Sequence, residues 1–529
     1  MDASKLREDL LEHFGDALET DEDAMRQCAE MCRTFHLSPE DLRFKWEALA
    51  LARRRDIGPI DTAGARELKA SLANELQAAL KRADQARVRQ RQAAAAPTAR
   101  VAGPSGTGAG DVKPFANGAA FAPLGPLSTE TRYKYMYEKI PGRSEKLDEH
   151  IEMFEHLVAE HCGVDRKDLG NGYEVTDDDV IVVGRICCDE DAKINEASIV
   201  LEVSREIGSG ARVPIKFAPN VAMRGGLPAG QTGMGVFPGA MAAFRGRNGG
   251  GGWFVVNEIL PLPKLPRKDE ARPDDARICV AAGPYTYSKD FKFEPLQRLL
   301  QRVLQSQPRP TTLLLLGPFV DANHELIKLG DVDEHPRETF RREVLDRLRA
   351  LRGIDVFLVP SVRDVVSNHA VFPQGELREE WALPQNVRML PNPCVTTIGG
   401  LRVAATSVDV LFQIKKEEFV KDLSAGGGKA DSFANLGRHI LEQRSFYPLF
   451  PAPRDDNEVN LDVTHSELLG IAAPAPDVLV LPSKFVQFHK DVDGCAVVNP
   501  SFCGRTDSLG GYAEVVCRGG HVSVGLHKL

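Results

Sequence analysis

Apolar positions along the chain keep two rhythms. In the first ninety or so residues they recur every three or four places: Leu6, Leu10, Leu11, Phe14 and Leu18, then Met25, Cys28, Met31 and Cys32, then Leu42, Phe44, Trp46, Leu49 and Leu51. That spacing places them along helix faces and predicts a small helical bundle over residues 1–92. Ser38-Pro39-Glu40-Asp41 reads as a helix start, with a capping hydroxyl, proline in the first turn and acids matched to the helix dipole. Leu68, Leu72, Leu76 and Leu80 step by four along a longer helix. Few polar groups there could converge, so the segment reads as a docking module. Periodicity then vanishes over residues 93–130, where Ala, Gly and Pro dominate (AAAAPTARVAGPSGTGAG). Such a stretch buries too little apolar surface to offset its ordering entropy, and it reads as a flexible linker.

The rhythm shortens over residues 131–265. Asp179 to Cys188, Ala197 to Val203, Ala211 to Phe217, Ala240 to Phe244 and Trp253 to Leu260 read as five strands separated by glycine-rich turns. They predict a small barrel of the OB type, with a bulge or bend at Gly184 and a hairpin turn over Arg245 to Gly252. Aromatics are sparse on these strands, which favours a protein-binding barrel over one that grips single-stranded nucleic acid.

Residues 270–529 carry strands of another kind. Thr311 to Leu316 (TTLLLL) is apolar or β-branched throughout, as a strand covered on both faces must be. It breaks at Gly317-Pro318, and Asp321 and His324 follow. Ile278 to Ala282 likewise runs into Gly283-Pro284-Tyr285, and Ile354 to Val359 into Pro360-Ser361-Val362-Arg363-Asp364. Val478 to Leu481 runs into Pro482-Ser483, and Cys495 to Val498 into Asn499-Pro500-Ser501. Leu296, Leu299, Leu300, Val303 and Leu304 predict one core-facing helix, Phe340, Val344, Leu348 and Leu351 another ending near Gly353, and Leu436 to Leu441 a third. Val395 to Ala405, turning at Gly399-Gly400, reads as a hairpin. The whole is a multidomain α+β chain.

Five buried strands each ending in a proline-bearing loop, with helices between several, resemble the calcineurin-like metallophosphoesterase domain. That family carries its metal ligands in these loops, in the order DxH, GDxxD, GNH(D/E), H and GHxH. A two-metal centre needs several carboxylate, imidazole and amide ligands on ions about 3.5–4 Å apart, and proline offers no side-chain donor. Gly283-Pro284 retains neither ligand of the first motif. Pro318 stands where the bridging aspartate belongs, beyond Gly317, and only Asp321 survives. Arg363 puts a cation beside Asp364, where metal would sit, and Pro360, Pro482, Asn499 and Pro500 complete the degenerate set. The resemblance thus implies a framework without its metal ligands, cofactors or catalytic residues. Asp321 and His324 read as a local turn with a surface hydrogen bond. The competing reading is a divergent metal-dependent phosphodiesterase using Asp321, His324, Asp364, His369 and Asn499, although Asn368-His369 lies nine to ten residues beyond its strand.

Charge and composition narrow the field. A net charge of −9 argues against a whole-protein electrostatic grip on nucleic acid, and no apolar run is long enough to span a membrane. The charged amino terminus is unlike a signal peptide. Cys28 and Cys32 share a helix face and read as core. Cys187, Cys188, Cys279, Cys495 and Cys517 lie in apolar runs, as buried thiols of a reducing compartment do. His150, His156 and His161 do not share a helix face, and residues 426–429 (GGGK) lack the rest of a phosphate loop.

A helical module, a linker, an OB barrel and a metal-less phosphoesterase framework, in that order, resemble the B-subunit family of replicative DNA polymerases, most closely its polymerase alpha–primase branch. LLLLGPFVDANH, VPSVRDV, HILEQRSFYPLFP and PDVLVLPSKFVQFHKDVDGCAVVNPS carry that likeness. It implies a non-catalytic nuclear scaffold supporting RNA–DNA primer synthesis. The barrel and phosphoesterase domains would bind the C-terminal domain of the polymerase alpha catalytic subunit. Primase would join through the complex, and other replication factors through the N-terminal helices. Direct DNA contact would be weak or indirect, and no membrane or cofactor would be involved. The linker has no Ser-Pro or Thr-Pro pair, so the cell-cycle phosphorylation expected of the family has no site there.

Overall fold

The computed structural model describes most of residues 3–69, and residues 139–529 apart from stretches at 189–192, 268–270, 378–380, 382, 425–429 and 454–458. The Leu72 to Leu80 repeat, the linker over residues 93–130 and the glycine run at 426–429 lie outside the described residues. Two compact units are present, Met1–Pro114 and Phe115–Leu529.

In the first unit, α1 (Ala3–Phe14), α2 (Glu22–Phe35) and α3 (Pro39–Ala52) bring Leu6, Leu10, Phe14, Met25, Met31 and Leu42 into one buried cluster, which Leu68 joins from further along the chain. Cys28 and Cys32 belong to that core, and burial pushes the Cys28 thiol up to about 12. Asp21, ahead of α2, accepts from the Ala24 amide at 3.0 Å and from the Thr62 amide at 2.9 Å, tying a later segment to the helix start.

The second unit opens with α4 (Ile140–Cys162), which ends at Gly163 in the left-handed conformation. Ile151, Phe154, Val158 and Ala159 on α4 pack on Val183, Met241, Ala243 and Leu260 of the barrel. The barrel strands are β1 (Val180–Cys188), β2 (Ile199–Glu202), β3 (Arg212–Met223), β5 (Met241–Arg247) and β6 (Phe254–Leu260), closed in the order β1-β2-β3-β6-β5. Gly184 is not a bulge. The register of β1 with β5 runs unbroken from Val180 to Arg185, after which β1 pairs with β2. A Cβ at Gly184 would lie 2.4 Å from the Glu202 carbonyl oxygen, so the glycine permits close approach where β1 changes partner.

β4 (Gly233–Val236), which the apolar pattern did not announce, leaves the barrel to pair with β13 (Phe419–Asp422) further along the chain. The rest is a sandwich. One sheet has the order β10 (Val387–Met389), β9 (Asp355–Val359), β8 (Thr312–Leu316), β7 (Asp275–Ala282), β17 (Gly511–Arg518), β18 (His521–Lys528). The other runs β11 (Cys394–Ile398), β12 (Leu401–Ala405), β14 (Val478–Val480), β16 (Cys495–Asn499), β15 (Phe488–Val492).

The leucine run of β8 is explained by this arrangement. Leu314 and Leu316 face the second sheet, against residues such as Val403, Val480 and Val498. Leu313 and Leu315 face the helical layer, which includes α5 (Glu294–Gln305) and the turns around Phe340, Val344 and Leu348. On α5, Leu296, Leu299, Leu300 and Val303 are buried, but Leu304 in the last turn is 37% exposed and not part of the core. Cys188, at the end of β1, is half-buried.

Beyond the second sheet lie α6 (Val410–Glu417) and α7 (Ser432–Glu442), and a single apolar cluster continues from Val182 and Phe244 of the barrel to Leu479 and Val497 of the sheet. Gln443, just past α7, completes the join. Its Oε1 accepts from the Met241 amide at 2.6 Å and its Nε2 donates to the Met241 carbonyl at 3.0 Å, as a neighbouring strand would.

Candidate functional site

Loops following β7, β8, β9, β12, β14 and β16 gather at one end of the sandwich, held by backbone bonds that run from loop to loop. Gly283 donates to the Leu316 carbonyl at 2.8 Å, Gly317 to Val359 at 2.7 Å and Cys503 to Ala282 at 2.8 Å. Glycine before proline is a packing requirement here. A Cβ on Gly283 would lie 2.1 Å from the Pro318 oxygen, and one on Gly317 would lie 2.4 Å from Asp364 Oδ2. Tyr285, which follows Pro284, is buried and stacks on Phe319 at 5.6 Å, and its hydroxyl donates to Leu316 at 2.9 Å.

Asp364 is the centre of this region. Its Oδ1 accepts from the amides of Phe319 and Val320, and its Oδ2 from the Ser361 amide at 2.8 Å. It therefore clamps the loop after β8 to the loop after β9. Burial pushes its carboxyl up to about 7, and the three amide donors pull the other way. Asp321 forms an isolated bridge with Asp364 and takes the Arg363 guanidinium side-on, Nε to Oδ1 at 3.0 Å with Nη2 on Oδ2.

His324 Nδ1 accepts from the Leu326 amide at 3.2 Å and caps the short helix Glu325–Leu329. The ring must then carry its proton on Nε2, which donates to the carbonyls of Tyr287 and Asp290 at 2.8 and 3.0 Å. Asp321 and His324 do form local turns. They are not surface groups, however, being only 7% and 4% exposed, because the loops after β7 and β9 close over them.

The second sheet contributes amides and hydroxyls. Asn499 Oδ1 accepts from the amides of Ser483 and Ser501, at 3.0 and 2.8 Å, linking the loops that begin at Pro482 and Pro500. Ser407 donates to the Pro360 carbonyl at 2.8 Å and so joins the two sheets. Asn392, fully buried, donates to Ser407 Oγ at 2.8 Å and accepts from Thr406 Oγ1 at 3.0 Å. Gln374 donates to Ser361 O at 3.2 Å and pairs with Asn392 through the backbone.

Asn392, Ser407 and Gln374 escaped the sequence reading, since no spacing connects them. Their only signal was a polar residue beside a proline, at Gln374 and Asn392, or just past an apolar strand, at Ser407. His369, by contrast, lies on an exposed loop and is not among the groups that hold Asp364.

The oxygens of Asp364 and Asp321 are occupied by donors of the chain, and Asn499 spans two loops. Among the described residues, no group of three or more His, Cys, Asp or Glu is arranged to share an ion. Elsewhere, a cavity of about 190 Å³ is lined by Gln231, Gly235, Lys415, Glu418, Asn435 and His439, with His439 Nε2 2.9 Å from Glu418 Oε1.

Two family models match the chain. One describes the B subunit of DNA polymerases alpha and epsilon and covers residues 278–490. The other describes the OB domain of the DNA polymerase alpha B subunit and covers residues 144–262. The DNA polymerase alpha B subunit of Schizosaccharomyces pombe is 33% identical over 405 residues, covering 72% of this chain and 67% of that protein. The Rattus norvegicus protein of the same name is 30% identical over 389 residues, 71% of this chain and 60% of its own length. That of Saccharomyces cerevisiae is 28% identical over 450 residues, 74% and 61% respectively. The chain thus spans about two thirds or less of the relatives it matches. A solved archaeal phosphodiesterase aligns with 48% of the chain at 11% identity and a TM-score of 0.24, too low to bear on fold or chemistry.

Proposed function

The chain belongs to the B-subunit family of DNA polymerase alpha, and from that membership we propose that it is the non-catalytic scaffold of a polymerase alpha–primase complex. The observation that carries the reading is the state of the strand-end loops. Where a phosphoesterase would present open carboxylates, Asp364 is consumed by three backbone donors and Asp321 by Arg363. Loops tied in this way lose little entropy when a partner covers them, which suits a lasting interface better than turnover. In this reading the barrel and sandwich hold the C-terminal domain of the catalytic subunit, primase joins through that complex, and the N-terminal helices recruit other replication factors in the nucleus. The complex makes RNA–DNA primers, and the chain's own contact with DNA is weak or indirect.

Co-purification with the C-terminal domain of the polymerase alpha catalytic subunit, with metal content measured on the same sample, tests this. A stable one-to-one complex in which metal follows only the partner supports the scaffold. Absence of a complex, together with about two metal ions per chain and phosphodiesterase activity, overturns it in favour of a two-metal enzyme.

A further inference from the structure

We propose that β18 is a docking edge that receives an extended strand from another polypeptide of the assembly. This rests on the chain working as a subunit, and it adds where and how a partner attaches.

β17 and β18 form an eight-pair hairpin of unbroken register, from Gly511 opposite Lys528 to Arg518 opposite His521. The turn is Gly519-Gly520, both at positive φ, the requirement of a two-residue type I′ turn. Such a turn makes Arg518 and His521 a hydrogen-bonded pair, so the pairs ending in Ser523, Gly525 and His527 are bonded as well. The amides and carbonyls of Val522, Val524 and Leu526 therefore point away from β17. Among the described residues no strand lies beyond them, because β18 ends its sheet. Their side chains lie toward the space between the sheets, where Val522 and Val524 are only half-covered and Leu526 is 38% exposed.

The other edges of the sandwich are shorter. β10 has three residues. β15 has five, is flanked by α7 with Phe433 stacked on Phe488 at 4.6 Å, and carries Lys490 paired with Asp431. β11 has five. β18 has eight, with no proline, no bulge and no inward-pointing charge between its ends. Gln487 reaches it only at the His527 carbonyl. A long, regular, partly apolar edge of this kind is one that soluble proteins normally blunt or cover.

A row of alternating amide and carbonyl groups selects its occupant. Only an extended polypeptide matches it, adding main-chain bonds at Val522, Val524 and Leu526. Its alternate residues must be apolar, to cover these three side chains. Those between face His521, Ser523 and His527, beside Arg518 and Glu514 of β17, and are therefore polar.

Hydrogen–deuterium exchange on the free chain and on the purified complex with the catalytic subunit and primase tests this. In the free chain the amides of Ser523, Gly525 and His527 exchange slowly and those of Val522, Val524 and Leu526 quickly. In the complex the second set slows by about tenfold or more. A Val524→Pro chain loses its outward amide and the half-covered valine side chain but no bond to β17, so the free chain still folds, with Ser523, Gly525 and His527 slow to exchange, and dissociates from the complex faster. Failure of the complex to assemble at all counts against the subunit reading itself. A complex that forms while Val522, Val524 and Leu526 still exchange quickly overturns the docking edge. Protection of the three in the free chain that rises with concentration also overturns it, because a second copy then fills the edge.

Discussion

Arg363 forks onto Asp321 across the gap between the loops that follow β8 and β9, so that a cation supplied by the chain sits between two strand ends. Asp321 is almost wholly buried and Arg363 is 21% exposed at its side chain. Arg363→Ala leaves that carboxylate buried and unpaired, at a cost on the order of 3 kcal/mol, the low end for such a pair because the arginine keeps some solvent access. Urea unfolding is expected to show this loss, and the Arg363→Ala, Asp321→Asn double variant to recover part of it.

Asp364 gives a pH signature. Its folded pKa is raised to about 7 from an ordinary 3.8, so the folded state favours the protonated form. The associated stability is complete below the unfolded value and is lost as pH rises through about 7. The unfolding midpoint of the native chain is expected to fall between about pH 4 and 7 more steeply than that of Asp364→Asn. The variant itself turns an amide donor toward a backbone N–H and is less stable by about 1–3 kcal/mol.

Gln443 satisfies both main-chain groups of Met241, a residue 1% exposed. Gln443→Leu strands those two groups and is expected to cost about 1–3 kcal/mol for each that finds no water. Limited proteolysis should then cut the connector between barrel and sandwich, near residues 261–275, earlier than in the native chain.

Gly233 lies so close to β13 that a Cβ would fall 1.9 Å from the Lys421 carbonyl oxygen. Gly233→Ala is expected to separate β4 from β13 and lower stability by about 1–3 kcal/mol. Gly249→Ala, where a Cβ meets nothing within 4 Å, is the control and should change the melting free energy by no more than about 0.5 kcal/mol.

Local order determined what the sequence could reveal. The Leu313–Leu316 run announced a strand covered on both faces, and the structure places helices on one side and a second sheet on the other. The pair Gly399-Gly400 announced a hairpin, and both residues have the positive φ that its turn requires. Five β segments separated by glycine-rich turns announced the barrel. The proline-bearing loops also stood in the sequence, because proline and glycine act on the backbone where they occur.

Tertiary structure alone decided the rest. Gln443 and Met241 are 202 residues apart, and nothing in either neighbourhood foretells that a side-chain amide will stand in for a strand. The same holds for β4 crossing to β13, and for Asn392 with Ser407 joining the two sheets. Asp321, His324 and Asp364 could be named from the sequence, but not their burial or their partners. Hydrophobic period is a property of neighbours along the chain, so it can be read from sequence. The satisfaction of a buried polar group depends on which distant backbone folding brings within 3 Å, and that is settled only when the layers pack.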